Sequence, residues 1–160
     1  DELLTKYGLS TLSEAEKLQL NRAWHRLEPW PDVVAGLKSL KSHYIVAALS
    51  NGNISLLANM AKHASLPWDY IFSAELSKHY KPDPEVYETA ADLLGLSTEA
   101  VMMVAAHKHD LDGAKETGMK TAYVPRSDEF GSKRLVDINP DPTYDVFAID
   151  FLDLARKLGA

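Results

Sequence analysis

Residues 44–53, which read YIVAALSNGN, hold the pattern that decides the fold. Residues 44–49 form a short apolar run that is partly β-branched, which is typical of a strand buried on both faces of a parallel sheet. The run stops at Ser50, and a helix pattern begins at Ile54 after the polar residues. The stretch therefore predicts one strand–loop–helix unit.

The same alternation continues on both sides of this unit. Further strands are predicted at residues 70–72, 101–104, 120–124 and 146–149. Helix patterns begin at the capping box Ser13–Glu16 and at Asp32, Pro84, Leu111 and Phe151, and residues 125–142 read as a long irregular loop. Strands that alternate with helices in this way form βαβ units. We therefore expect an α/β fold: a doubly wound, Rossmann-like, mostly parallel sheet with flanking helices.

The composition excludes several classes of function. The 160 residues contain no cysteine, which excludes a disulfide scaffold, thiolate metal sites and a thiol nucleophile, and favours a cytoplasmic location. The net charge is -6 with no basic cluster, so we expect no nucleic-acid partner. The longest near-apolar run is far shorter than the roughly 20 residues that span a bilayer, and the first residues do not resemble a signal peptide. We therefore expect no membrane association.

In open α/β sheets, ligands bind beyond the carboxyl ends of the strands. Three polar clusters stand out there. The first cluster, residues 50–53, places a hydroxyl and amides at a helix N-terminus, which fits either an anion site or a simple helix cap. The second contains Lys81, presented by the stiff Lys-Pro-Asp-Pro loop, with Tyr87 six residues later. Taken alone, the pattern favours a solvated surface lysine at position 81, and it also allows Tyr87 to be simply a packed aromatic.

The third cluster is His107-Lys108-His109-Asp110, after the predicted strand at 101–104. Its two histidines beside an acid have no recognised metal-ligand spacing, so we expect no metal there. Asp110 suits the first turn of the following helix, where the helix dipole favours an acid whether or not it takes part in chemistry.

Three motifs, in this order along the chain, resemble the haloacid dehalogenase superfamily, most closely its L-2-haloacid dehalogenase (type II) branch. They are Leu-Ser-Asn-Gly at 49–52, Lys-Pro-Asp-Pro-Glu-Val-Tyr at 81–87 and Val-Ala-Ala-His-Lys-His-Asp at 104–110. Residues 26–32 look like the return from a helical cap domain into the core. The resemblance implies that residues 1–30 are a cap remnant and that 31–160 form the Rossmann-like core.

The resemblance also implies a mechanism: an aspartate displaces halide from the 2-carbon of a small haloalkanoic acid or related organic acid, and water hydrolyses the resulting ester. Ser50 would bind the substrate carboxylate, and Asn51 would help to cradle the halide. Lys81 would keep the nucleophile ionised. Tyr87 would support Lys81 or the substrate carboxylate, and Asp110 would orient Lys81 and help to activate the water.

The chain departs from the branch at the third motif. Ala105 and His107 stand where the branch usually carries Ser and Asn, so His107 joins the predicted substrate-binding residues and the water-positioning network is altered. Ala106 stands where the magnesium-dependent phosphatases of the superfamily need an acid. That favours a reaction with neither metal nor cofactor. The alternatives are a magnesium-dependent phosphatase of the same superfamily and a non-catalytic fragment or binding module.

The motif that would carry the nucleophile, Asp-x-x-Gly-Thr, does not occur in these 160 residues. In the family it follows a strand that lies between those predicted at 44–49 and 101–104. We therefore expect a preceding segment that contributes this central strand, the nucleophile and most of the cap, and we expect the chain to be inactive alone. The sequence is compatible with a homodimer and does not decide the oligomeric state.

Overall fold

The computed structural model describes residues 2–131 and 136–160. Its helices are α1 (Glu2–Lys6), α2 (Glu14–Asn21), α3 (Val33–Lys41), α4 (Ile54–Ala64), α5 (Ala74–Ser77), α6 (Pro84–Leu94), α7 (Lys108–Glu116) and α8 (Phe151–Lys157). Its strands are β1 (Ala47–Ser50), β2 (Tyr70–Ser73), β3 (Met102–Ala105), β4 (Lys120–Tyr123) and β5 (Val146–Phe147). Short 3-10 helices occupy Arg22–Arg26 and Thr98–Ala100. The predicted α/β alternation is confirmed.

All recorded strand pairs are parallel, but they form two sheets. One sheet pairs β1 with β2, and the other has the order β3-β4-β5. Among the described residues, β1 and β3 each pair with a single neighbour. As edge strands, β1 and β3 therefore each present backbone N–H and C=O groups without a ladder partner in the described part of the chain.

Helices cover both faces of the three-stranded sheet, as a doubly wound fold requires. Side chains of β3 alternate between the faces. Met102 and Val104 pack with Leu40 of α3 and Leu154 of α8. Met103 points to the other face and packs against buried residues of α6 and α7. Side chains of β3 thus pack against helices on both faces of the sheet.

The first predicted strand differs from expectation. It begins at Ala47 and not at Tyr44, and both Tyr44 and Ile45 are exposed. The prediction that this strand is buried on both faces is wrong, because all residues of β1 are only half-buried, and the same holds for β3. Each of these strands has one edge without a neighbouring strand in the described part of the chain, which leaves it more accessible than a central strand.

The helix predicted from the capping box, α2, begins as predicted but ends earlier than its sequence pattern. Ser13 and Glu16 form the expected capping box, with each residue's side chain accepting the other's backbone N–H. The helix pattern continues to Leu27 in the sequence, but α2 ends at Asn21 and a 3-10 helix follows. Trp24 in this segment is 64% exposed, so it supplies no buried face to hold a longer helix.

Two short helices were not predicted, and a third starts earlier than its apolar pattern. The helices α1 and α5 have five and four residues, too few for a helical period to be read from the sequence. The first turn of α7 is polar, so it begins at Lys108, three residues before the first apolar position, Leu111.

The loop after β4 is anchored to the core by a buried ion pair. The Arg126 guanidinium donates two hydrogen bonds to the Asp32 carboxylate, at 2.8 and 2.9 Å, and the Phe151 N–H donates a third at 2.8 Å. Burial alone would raise the pKa of Asp32, but these donors outweigh it and hold the pKa below its usual value. The described part of the predicted loop at 125–142 has neither strand nor α-helix, and residues 132–135 lie outside the described residues. Across the described ranges, we find no helix with the length and apolar character that a bilayer crossing needs.

Candidate active site

The carboxyl ends of β1 and β3 meet the loop before α6 around a cavity of about 230 Å³. Its lining residues are Leu49, Ser50, Asn51, Lys81, His107, His109 and Asp110. Five of the six predicted site residues therefore share one cavity. Tyr87, the sixth, is fully buried behind it.

A larger surface cavity, of about 380 Å³, contains none of the predicted site residues. It is lined by Lys41, Tyr44, Ile45, Asp69 and Tyr70. Its lysine and aspartate pair with each other at 2.7 Å. Volume alone therefore does not identify the site; the convergence of polar groups at strand ends does.

Lys81 and Asp110 form an ion pair on the wall of the smaller cavity. The Lys81 Nζ lies 2.9 Å from Asp110 Oδ2, and the two side chains are 10% and 14% exposed. Burial lowers the pKa of the Lys81 ammonium below its ordinary value, while the Asp110 charge and hydrogen bond oppose that shift. The interpretation of Lys81 as a solvated surface lysine is therefore wrong.

Tyr87 holds the second oxygen of Asp110. Its hydroxyl donates to Asp110 Oδ1 at 2.8 Å, and its ring centroid lies 5.7 Å from Lys81 Nζ. Burial and the adjacent carboxylate raise the pKa of Tyr87, so the hydroxyl stays protonated and acts as a donor. The family resemblance implies that Tyr87 supports Lys81 or the substrate carboxylate, whereas its hydroxyl contacts Asp110 and does not line the cavity.

Asn51 joins the end of β1 to the Lys81 main chain. Its Oδ1 accepts from the Lys81 N–H at 2.7 Å, and its Nδ2 donates to the Lys81 carbonyl at 3.3 Å. The peptide bond between Lys81 and Pro82 is cis. Both polar atoms of the Asn51 amide thus contact the loop that presents the lysine.

Hydrogen bonds at the N-terminus of α4 favour the helix-cap interpretation of residues 50–53 over the anion-site interpretation. The Asn53 side chain accepts from the Leu56 N–H at 2.8 Å, and the Glu75 carboxylate accepts from the Ile54 N–H at 2.7 Å. The protein's own acceptors thus satisfy these donors. Ser50 Oγ accepts from the Gly52 N–H at 3.0 Å, which leaves the hydroxyl hydrogen without an acceptor among the described residues.

Gly113 lets α7 approach the Lys81 loop closely, a role that the sequence pattern did not reveal. A Cβ at this position would lie 2.9 Å from Pro82 Cβ and 3.0 Å from the Tyr87 hydroxyl. No real Cβ fits at the first distance without movement of the loop or the helix. The contact between α7 and the loop, and with it the Lys81–Asp110 pair, therefore depends on a glycine here.

His107 occupies the N-cap position of α7 and has a partner that sequence reasoning missed. Its Nε2 lies 2.8 and 3.0 Å from the two carboxylate oxygens of Glu129, in the loop after β4. Its ring also stacks on His109, with centroids 5.6 Å apart. The imidazole of His107, which is hydrogen-bonded to the Glu129 carboxylate, thus lies on the cavity wall.

One group in the described part of the chain brings metal-ligating atoms together. It consists of the exposed residues His79, Asp83 and Glu85. The His79 Nδ1 lies 3.3 Å from the Asp83 carboxylate and 3.7 Å from that of Glu85. These residues do not line the cavity, and the imidazole hydrogen-bonds to Asp83.

The fold and the polar cavity at its strand ends define a doubly wound α/β core of the kind that binds small molecules. The chain belongs to the haloacid dehalogenase-like hydrolase family, whose family model matches residues 1–118. This confirms the superfamily that the three motifs indicated.

Individual relatives point to one branch. The chain is 40% identical over 133 residues to (S)-2-haloacid dehalogenase 4A of Burkholderia cepacia, a match that covers 79% of this chain and 57% of that protein. A crystal structure of an L-2-haloacid dehalogenase matches with a TM-score of 0.93 at 46% identity, covering 99% of this chain and 67% of that chain. A defluorinating L-2-haloacid dehalogenase matches with a TM-score of 0.94 at 44% identity, covering 100% of this chain and 66% of that chain. The chain thus spans less than two thirds of the curated relative's length.

Proposed function

We propose that this chain is the C-terminal part of a hydrolase that removes halide from a small 2-haloalkanoic acid without a metal, through an aspartyl ester. The observation that carries the proposal is the buried Lys81–Asp110 pair on the wall of the cavity. A shielded ammonium at this place attracts carboxylates, and both the nucleophile and the substrate of such a reaction are carboxylates. The identity of the relatives named above supports the substrate class.

Four residues that line the cavity have a place in this chemistry. Lys81 stabilises the ionised nucleophile, and Asp110, held by Tyr87, fixes the direction of the ammonium. Ser50 offers its hydroxyl hydrogen to the substrate carboxylate. Asn51 keeps the Lys81 loop in place and lies beside the space for the halide.

The reaction proceeds in two halves. In the first, a carboxylate oxygen of the nucleophile attacks the 2-carbon, and the carbon–halogen bond breaks with its electron pair leaving as halide. In the second, water adds to the carbonyl carbon of the ester, and the bond between that carbon and the substrate oxygen breaks. The products are a 2-hydroxy acid, one halide ion, one proton and the regenerated carboxylate.

The nucleophile belongs to a segment outside these residues. We infer that residues 1–30 are the remnant of a helical cap, and that 31–160 are a core whose central strand pairs between β1 and β3. The unpaired edges of both strands support this inference, since exposed apolar edges are an aggregation liability. The greater length of the relatives also supports it. We infer a cytoplasmic location from the absence of cysteine in these 160 residues.

The proposal is tested by halide release from 2-chloropropionate by the complete protein, with and without EDTA. We expect turnover in both conditions, and we expect Lys81→Met to lower kcat/KM by about 10²–10³-fold because a preorganised charge is lost. Lys41→Met is the matched control, since Lys41 is also paired with an aspartate but lies in the other cavity. Undiminished turnover by Lys81→Met, or turnover that EDTA abolishes, contradicts the proposal.

A further inference from the structure

We propose that His107, oriented by Glu129, is the general base that activates the hydrolytic water in the second half of the reaction. This inference rests on the proposed function and assigns one of its steps. His107 would act on the water itself, and Glu129 would be a positioning residue that acts through the imidazole.

The hydrogen bonds of His107 determine which ring nitrogen can act. Both recorded bonds join Nε2 to the Glu129 carboxylate, at 2.8 and 3.0 Å. A carboxylate only accepts, so Nε2 donates, and in the neutral imidazole the lone pair is then on Nδ1. Among the described residues, Nδ1 has no hydrogen-bond partner. The imidazole therefore has the form of a base held by an acid, which is the logic of histidine in catalytic triads.

The main chain at Glu129 is tied to a segment that the core anchors. The Glu129 N–H donates to the carbonyl of Arg126, and the Arg126 side chain is fixed to Asp32 by two hydrogen bonds. The Glu129 side chain is 29% exposed. Because exposed ion pairs add little to stability, a purely structural role does not explain why the loop is anchored at this point.

The other candidate bases on the cavity wall are less suited to the step. Asp110 accepts from the Lys81 ammonium with one oxygen and from the Tyr87 hydroxyl with the other, so its negative charge is already neutralised by donors. His109 stacks on His107, and no carboxylate partner for its ring is recorded among the described residues. Of these groups, only His107 has both a ring nitrogen without a hydrogen-bond partner among the described residues and a carboxylate that orients the ring.

The proposed step balances in atoms and charge. His107 Nδ1 takes a proton from water as the water oxygen bonds to the ester carbonyl carbon. When the tetrahedral intermediate collapses, the bond to the substrate oxygen breaks, and the imidazolium returns the proton to that oxygen. The regenerated carboxyl group then loses its proton to solvent.

The test separates the two halves of the reaction in the complete protein. With 2-chloropropionate, His107→Gln should release about one halide per active site in a rapid burst, while steady-state kcat falls by about 10²–10⁴-fold. The ester should accumulate and appear as an intact-protein mass increase equal to the substrate without its halogen. Glu129→Gln should show the same pattern to a smaller degree, with KM nearly unchanged.

The pH profile of kcat distinguishes a base from a structural residue. A protonated imidazole has no lone pair for the water proton, so wild-type kcat should fall on the acid side. That limb should disappear in His107→Gln. Lys81, Asp110 and His109 also face the cavity and remain unchanged in that variant.

Glu28→Gln is the matched control, because Glu28 forms a similar 3.0 Å contact with His63 away from the cavity. It should leave the burst, kcat and the acid limb unchanged. Equal loss of burst and turnover in His107→Gln, or wild-type turnover in that variant, overturns the inference and leaves the proposed function standing. Absence of halide release by the wild type overturns the proposed function, and the inference fails with it.

Discussion

At the scale of single residues, Tyr87 decides whether the buried ion pair keeps its geometry. Its side chain has no solvent exposure, and its hydroxyl is the second partner of the Asp110 carboxylate. Without that donor, one oxygen of Asp110 would stay buried and unpaired, which is costly. The tyrosine thus acts on Lys81 through Asp110, without contacting the substrate.

Tyr87→Phe should therefore lower both stability and activity. We expect the free energy of unfolding to fall by about 1–3 kcal/mol because a buried acceptor loses its donor. In the complete protein, kcat should fall more than KM rises, since the ammonium loses its fixed direction. Urea unfolding and halide release measure the two effects.

Tyr144→Phe is the control for this variant. Tyr144 is also buried, and its hydroxyl donates to Asp112 at 2.9 Å outside the cavity. It should reduce stability to a similar extent and leave kcat unchanged. If the two variants affect halide release equally, Tyr87 has no positioning role.

Sequence reasoning found the residues that follow strands and missed those that are brought in by tertiary contacts. Ser50, Lys81 and Asp110 were predicted because their motifs stand at predicted strand or loop ends. Glu129 was missed because it is 22 residues from its partner, in a loop with no periodicity. That loop is set by Arg126, whose partner is 94 residues away. No local pattern encodes such a contact.

At the scale of elements, the packing of α7 on the loop before α6 brings the two halves of the site together. Asp110 lies in the first turn of α7, while Lys81 lies in the loop. Gly113, one turn further along α7, makes the close approach possible. The sequence predicted both elements and most of their bounds. The short distance between them depends on Gly113, because glycine has no Cβ.

Gly113→Ala should destabilise the protein, contrary to the usual effect in helices. Alanine in place of an open helical glycine normally stabilises by about 1 kcal/mol. Here the added Cβ meets Pro82 at 2.9 Å, so we expect a loss of about 1–3 kcal/mol in the free energy of unfolding and weaker activity in the complete protein. The sign of the change in a urea titration decides the matter, and a gain in stability would show that the contact is not tight.

At the scale of the whole molecule, two parallel sheets end at one cavity, and the strands nearest to it have unpaired edges. Leu49 of β1 and Met103 of β3 pack on the same buried cluster around Tyr87, so the sheets are joined by side chains and not by a backbone ladder. The separation into two sheets follows from the sequence only when the family resemblance is added, because neither strand's own pattern shows which neighbour it lacks. A strand between β1 and β3 would complete one sheet and carry its last residues to Lys81.

The most direct measurement of this account compares halide release from 2-chloropropionate by the 160-residue chain and by the complete protein proposed to contain it. The account predicts that the complete protein turns over, and that the chain alone at equal concentration gives no release above the uncatalysed rate, since the nucleophile comes from the added strand. Release by the chain alone at the rate of the complete protein would contradict it.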